Sequence, residues 1–533
     1  MTKCCALFRS QVAQAAFGVF VAVCGCLSLC IASAHAQSTG NPEWTTDSFN
    51  PQRDGWQRDE TKITPANVEG MQLLWKVKLD NKTMGMQSFR EPLIVSGIHT
   101  ASGTKTVTIL AGSSNDVFVL DADSGDLIWH KQLKWASQEP QQPGEGRGFI
   151  CTNALTATPV VTPEGAGERY LYVLTSDGYI HTLDPGTGDE KNPPVQMLSH
   201  VYGKAYALNY VKGVVYTTTG QGCGGVANEL YGYDTANGKV SNSSPSQGGI
   251  WGVAGPAADS EGTLYFESGD GRYDLKAGEL ATSFQSFTFS GDTITLQDYY
   301  TPSNREWLTM RDLDMNTTPV IFPDEGRELI VGSGKEGRFF MLDTKSLGGA
   351  DHQTPLYRSP LIDNENVNFQ TEGTWGSLAA WKDNAGTQWV LAPSGGPLVK
   401  QFPVNYGPTP NGGIIAFKVE NKEGKTVMEP SWSSRDMMTA EPPIIANGVI
   451  FTLAAGEFTG QANDEEGGLY SSEQRIARSI PAKLYALDAQ TGKELYSSGD
   501  QIKSFLHQAG LAVAGGRVIF GTFDGTIYCF GIK

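Results

Sequence analysis

Helical periodicity is almost missing from these 533 residues. Apolar residues seldom recur at a spacing of three to four, which excludes helix bundles and doubly wound α/β folds. Beyond residue 32 no apolar run is long enough to cross a bilayer as a helix. Cysteine is scarce too: five of the eight lie before residue 31, leaving only Cys151, Cys223 and Cys529. No C-x-x-C-H occurs, so covalently attached c-type haem is excluded. The histidines beyond residue 36 (His99, His130, His181, His200, His352 and His507) are scattered without metal-ligand spacing and give no zinc site. Basic charge is in deficit. Without Lys3 and Arg9, 38 basic residues face 57 acidic ones, a net charge of −19. Such a field is unsuited to nucleic acid or anionic lipid.

The one long apolar segment, Ala15 to Ala32, follows Lys3 and Arg9 and ends in "ASAHAQ", with small residues at Ala34 and Ala36. This pattern predicts a cleavable signal peptide over residues 1–36 and a mature chain in the periplasm or secreted. Lipid attachment at Cys26 is the competing reading. In an oxidising compartment an odd number of cysteines leaves one over. Cys529, alternating with Ile527, reads as a buried small hydrophobe. Cys151 and Cys223 either pair or stay apart, and the sequence leaves both open.

What is present is a repeated phrase. "VFVLDADSGDLIW" (117–129), "YIHTLDPGTGDE" (179–190), "ELYGYDTANGKV" (229–240), "RFFMLDTKSLGG" (338–349) and "LYALDAQTGKELY" (484–496) share one grammar. A strand of alternating apolar residues runs into an Asp that caps a turn closed by Gly, and a second strand leaves. Weaker copies at 286–296 and 413–427, and a truncated one in "GTIYCFGIK", bring the count to eight. One four-stranded antiparallel sheet per copy makes an all-β, eight-bladed β-propeller over residues 37–533. The last copy stops before its outer strand, and "LLWKVKLD" (73–80) is a strand without its blade. Pairing the two closes the ring and leaves no long sheet edge open.

Two tempting motifs reduce to architecture. "GSGKEG" (332–337) fits G-x-G-x-x-G but lies between strands with no helix to offer its N-terminus, so no nucleotide site is read there. "DADSGD" (121–126) lacks the distal Glu of a calcium loop and is a blade turn.

The opening "EWTTDSFNPQRDGWQRDETKITPANVEGMQLLWKVKL" (43–79), with Trp44, "ITPANV" and the Trp75 strand, resembles that of quinoprotein alcohol dehydrogenases. These are eight-bladed propellers that hold pyrroloquinoline quinone and calcium in a central funnel. The resemblance extends over nearly the whole mature chain. It implies that Arg147 in "GRGF" and Lys335 in "GKEGRFFMLD" hold the cofactor's polar edge and that Trp251 in "IWGVAG" is its stacking floor. It implies Asp270 and Asp314 as metal ligands, and Asp314 in "RDLDMNTTP", with Asp312 two residues away, as the catalytic base. These residue types suit the chemistry: cations offset an anionic quinone, and a carboxylate takes an alcohol proton.

The chain also departs from that pattern. It has no adjacent Cys pair beyond residue 36, Cys223 where a calcium-binding Glu is expected, and His507 in place of a last-blade Trp. Two functions follow. One is an oxidoreductase acting on an alcohol or sugar hydroxyl, with a separate electron acceptor since no haem is present. The other is a cofactor-free binding or assembly scaffold with a protein partner.

Overall fold

In the computed structural model the described residues are 42–142, 145–165 and 167–532, with 145–147 described in their backbone alone. The expected signal peptide lies outside them. Eight four-stranded antiparallel sheets follow one another along the chain. The first runs Leu93–Thr100, Gly103–Gly112, Asp116–Asp121 and Leu127–Gln132. The next six span 160–196, 204–242, 257–300, 320–358, 379–433 and 444–497. The eighth takes three strands from 512–531, and Gln72–Lys78 supplies its outer strand by pairing antiparallel with Thr526–Gly531. Among the described residues no helix is long and apolar enough to cross a membrane.

The repeated phrase is the turn between the third and fourth strands. Its Asp folds back on the backbone: Asp121 Oδ1 accepts from the amides of Asp123 and Ser124, Asp184 from Gly186 and Thr187, and Asp488 from Gln490 and Thr491. The turn's Gly has a second task. Gly125, Gly188 and Gly492 all have positive φ, and a Cβ on any of them would run into an indole of the preceding blade: Trp75, Trp129 and Trp432. The Trp75 and Trp129 indoles also donate to Ala122 and Pro185 carbonyls beneath these turns, at 3.1 and 3.0 Å. Each such Trp on an outer strand clasps the next blade's turn, and any side chain in the Gly's place would push it off.

Residues 44–55 run round the axis from blade to blade, and Trp56–Gln57 ends the run as a short strand parallel to Ile444–Ala446 of the seventh blade. Trp44 exchanges backbone hydrogen bonds with Ile94 of the first blade, and the Thr45 carbonyl accepts from Val161 of the second. Thr46 reaches Leu208 beside the third. The carbonyls of Pro51, Gln52, Asp54 and Gly55 then accept from Ala258, Ile321, Ala380 and Ile445, on blades four to seven in order. Arg53, wholly buried, locks the coil by donating to Thr46 Oγ1 and to the Asp47 and Leu208 carbonyls.

Candidate functional site

Antiparallel pairing decides where chemistry collects. The first strand of each blade begins, and the second ends, at the same end of the ring, whereas the Asp–Gly turns lie at the opposite end. Segments before first strands and after second strands therefore meet, and they line a cavity of about 600 Å³. Trp251 precedes the fourth blade and Asp270 follows that blade's second strand; Asp312 and Asp314 precede the fifth, and Lys335 follows its second strand. All five line the cavity. Arg147 ends the strand Glu145–Arg147, whose side chains are outside the described residues.

Asp314 is the best-held of these. Its Oδ1 accepts from the Asp270 amide at 2.7 Å, and its Oδ2 meets the Lys335 ammonium at 2.6 Å. Lys335 also contacts Asp312 Oδ1, at 2.9 Å, and the Asp312 carbonyl, at 3.0 Å. Burial raises the proton affinity of Asp314 above the usual carboxylate range, and the Asp270 carboxylate adds to that against the opposing Lys335. Burial opposes the Lys335 ammonium, but Asp314 and Asp312 outweigh it and hold the amine charged. The two shifts are compatible, because Lys335 faces two acids whereas Asp314 faces one cation. Oxygens of Asp270, Asp312 and Asp314 lie within 4.8 Å of one another, a grouping able to hold a hard cation.

Several cavity residues escaped the sequence reading. Asn316 is buried on the cavity wall, and neither its amide nitrogen nor its oxygen has a partner among the described residues. Its signal was in the chain: Asp312, Asp314 and Asn316 alternate with buried Leu313 and Met315, the two-residue period of an extended segment. Trp375 faces Lys335, with 5.3 Å from the ammonium to the ring centre. Lys204 stands over Trp251 at 5.4 Å, and Arg90, Arg475, Glu457 and His507 complete that side. Glu457 accepts from Arg475 at 2.7 Å and from His507 at 2.8 Å. The sequence marks His507 only as a departure, standing where a last-blade Trp is expected; the others come from segments without the repeated phrase, so nothing marked them.

Cys151 and Cys223 form a disulfide with a Cα separation of 5.4 Å. It joins the loop carrying Phe149 and Ile150 to the loop carrying Gln221, all three lining the cavity. Cys529 is buried and reduced.

Comparisons agree with this architecture. The sequence profile of the outer membrane protein assembly factor BamB family matches residues 33–298. Quinohemoprotein alcohol dehydrogenase from Comamonas testosteroni is similar over 92% of this chain and 80% of its own, with TM-score 0.56 and 16% identity. The enzyme ADHIIG of the same type from Pseudomonas putida HK5 gives 0.59 at 15% identity, with the same coverage. A europium-containing methanol dehydrogenase gives 0.55 at 15%, over 93% of this chain and 99% of its own. No curated protein matches in sequence. At these identities the structural likeness speaks for the fold. Together with the profile, it supports a PQQ-like β-propeller family for this chain.

Proposed function

We propose that the chain is an exported quinoprotein-type oxidoreductase that oxidises an alcohol or sugar hydroxyl and passes electrons to a separate acceptor. The observation that carries this reading is Asp314, a buried carboxylate of raised proton affinity in one cavity with an indole face and a held cation. The residues present fit a planar, anionic quinone and a hard metal ion. About 600 Å³ is within the range of small-molecule sites. Trp251 Nε1 and both amide atoms of Asn316 are buried without partners among the described residues, and such atoms cost about 1–3 kcal/mol each unless a ligand or water meets them.

In this reading Trp251 is the stacking face, Lys335 and Arg147 hold the anionic edge, and Asp270, Asp312 and Asp314 offer oxygens to the metal. When bound, an ortho-quinone supplies the hydride acceptor. Asp314 takes the substrate's hydroxyl proton, its carboxylate kept in place by the Asp270 amide and by Lys335. The Cys151–Cys223 disulfide supports an oxidising compartment, which cell fractionation tests directly.

The profile match to an assembly factor favours a second reading, a scaffold that docks a protein and holds no quinone. Adding pyrroloquinoline quinone with calcium separates the two. Quenched tryptophan fluorescence, a shifted quinone spectrum and dye-linked alcohol oxidation are expected of the enzyme. Asp314→Asn should retain binding while turnover falls about 10²- to 10⁴-fold, since the amide keeps the shape but takes no proton. Trp251→Ala should weaken binding by about 1–3 kcal/mol, the range for stacking on an aromatic face. No binding of the quinone by the wild-type protein would hand the site to the scaffold reading.

A further inference from the structure

Lys204 has no part in the chemistry above, and its surroundings are unusual for a lysine. It sits on the short strand Lys204–Ala205 at the start of the third blade and lines the cavity. Its ammonium lies over two aromatic faces, 5.4 Å from the centre of Trp251 and 5.9 Å from that of Tyr206. Among the described residues no carboxylate pairs with it within salt-bridge distance. Its charged neighbours are guanidinium groups. Lys204 is half-buried; Arg90, which is buried, spends donors on the Phe89, Thr156 and His507 carbonyls and on Gln87 Oε1, and is left without a carboxylate contact. Arg475 is paired with Glu457.

An amine so placed is short of reasons to stay protonated. Burial, followed by Arg90 and then Arg475, pulls it down to about 8. Desolvation beside other cations is an established way of making a lysine nucleophilic near neutral pH. The same cations would draw the carboxylate of an incoming ligand.

We propose that Lys204 is a covalent capture site for a small carbonyl compound bearing a carboxylate, such as an aldehydo acid or 2-oxo acid, which it binds as an imine. The neutral amine adds its lone pair to the carbonyl carbon, forming the C–N bond. The carbonyl oxygen, taking up the two amine protons by way of solvent, leaves as water, and a C=N bond remains. No electrons enter or leave the pair, so the step needs no redox partner and is reversed by water. It stands independently of the quinone, and one reading can fail without the other.

The test uses the full chain without added quinone. Glyoxylate or acetaldehyde is added with cyanoborohydride, which fixes any imine as a secondary amine, and labelled peptides are mapped by mass spectrometry. Lys204 should label ahead of exposed lysines such as Lys493, with a rate that climbs as pH approaches 8. Relative to its labelling of Lys493, glyoxylate should favour Lys204 about tenfold or more over acetaldehyde, the effect of the Arg90 charge, which no carboxylate offsets, on an incoming carboxylate. Lys204→Arg keeps the charge but forms no imine, so that mass should vanish. If this variant fails to fold, the wild-type peptide map decides alone. Labelling of Lys204 no faster than of Lys493 overturns the proposal, and an equal preference for Lys204 over Lys493 with the two aldehydes overturns its carboxylate half.

Discussion

Lys335 and Lys204 occupy one cavity and stand at nearly the same height over an indole, 5.3 Å from Trp375 and 5.4 Å from Trp251. Their electrostatics are opposite. Lys335 is flanked by Asp314 and Asp312, which outweigh burial and keep it charged. Lys204 is flanked by Arg90 and Arg475, which add to burial and bring it down to about 8. An indole beneath an ammonium is common to both, so the aromatic does not set the charge state. The charged groups around each ammonium do. Lys335 is thereby a fixed counter-ion, and Lys204 is an amine able to react.

The largest way to break this contrast is Lys335→Met. It leaves Asp314 buried with its cation gone, and such half-pairs lose about 3–5 kcal/mol of stability, readable as a lower urea midpoint. Lys204→Met should act in the other direction. The lowered amine holds fewer protons in the folded than in the unfolded chain between pH 8 and the ordinary lysine range. Wild-type stability should therefore rise with pH across that window, and Lys204→Met should flatten the rise. Below pH 8 the variant should be the more stable by about 1–2 kcal/mol, after allowance for water in the cavity. The Lys335 contribution runs oppositely: it is complete below the ordinary lysine range and is lost as pH climbs through the raised folded value. Asp312→Asn sharpens the comparison at its small end. The Asp312 side chain is 49% exposed against 3% for Asp314, so its removal should shift the thermal midpoint by less than about 1 kcal/mol equivalent.

The two ends of the ring differ in how much of them could be read from sequence. The Asp–Gly turns repeat, because every blade solves the same hairpin problem, and counting them gave the architecture. The cavity end is built from connections that differ from blade to blade. There, Trp251, Asp270, Asp314 and Lys335 were picked out by resemblance, and the fold gathers them around one space. Asn316 was legible from its alternation with Met315 but went unread. Lys204 in "YGKAYAL" and Arg475 on the short helix Ser472–Arg478 carried no signal. What distinguishes them is which charges face them, a property of the closed ring and of no single stretch of chain. The pairing of Cys151 with Cys223 was likewise undecidable until the second and third blades stood side by side.

Residues 44–57 hold one more consequence. Their order along the chain is the order of the blades they touch, from Trp44 on the first to Gly55 on the seventh. The segment therefore works as a gauge. It is synthesised first, and each later blade arrives to find its own acceptor at the next step of the coil. Sheets of this kind would close into rings of other sizes, and the repeated hairpin says nothing against seven blades or nine. The gauge does. A ring short of one of the first seven blades would leave a polar group on the coil with nothing to bond, and the eighth blade, which has no rung there, is fixed instead by the strand Gln72–Lys78 that follows the coil. The order of seven blades is thus written twice in this protein, once by repetition and once in a short stretch that repeats nothing, and Gln72–Lys78 adds the eighth.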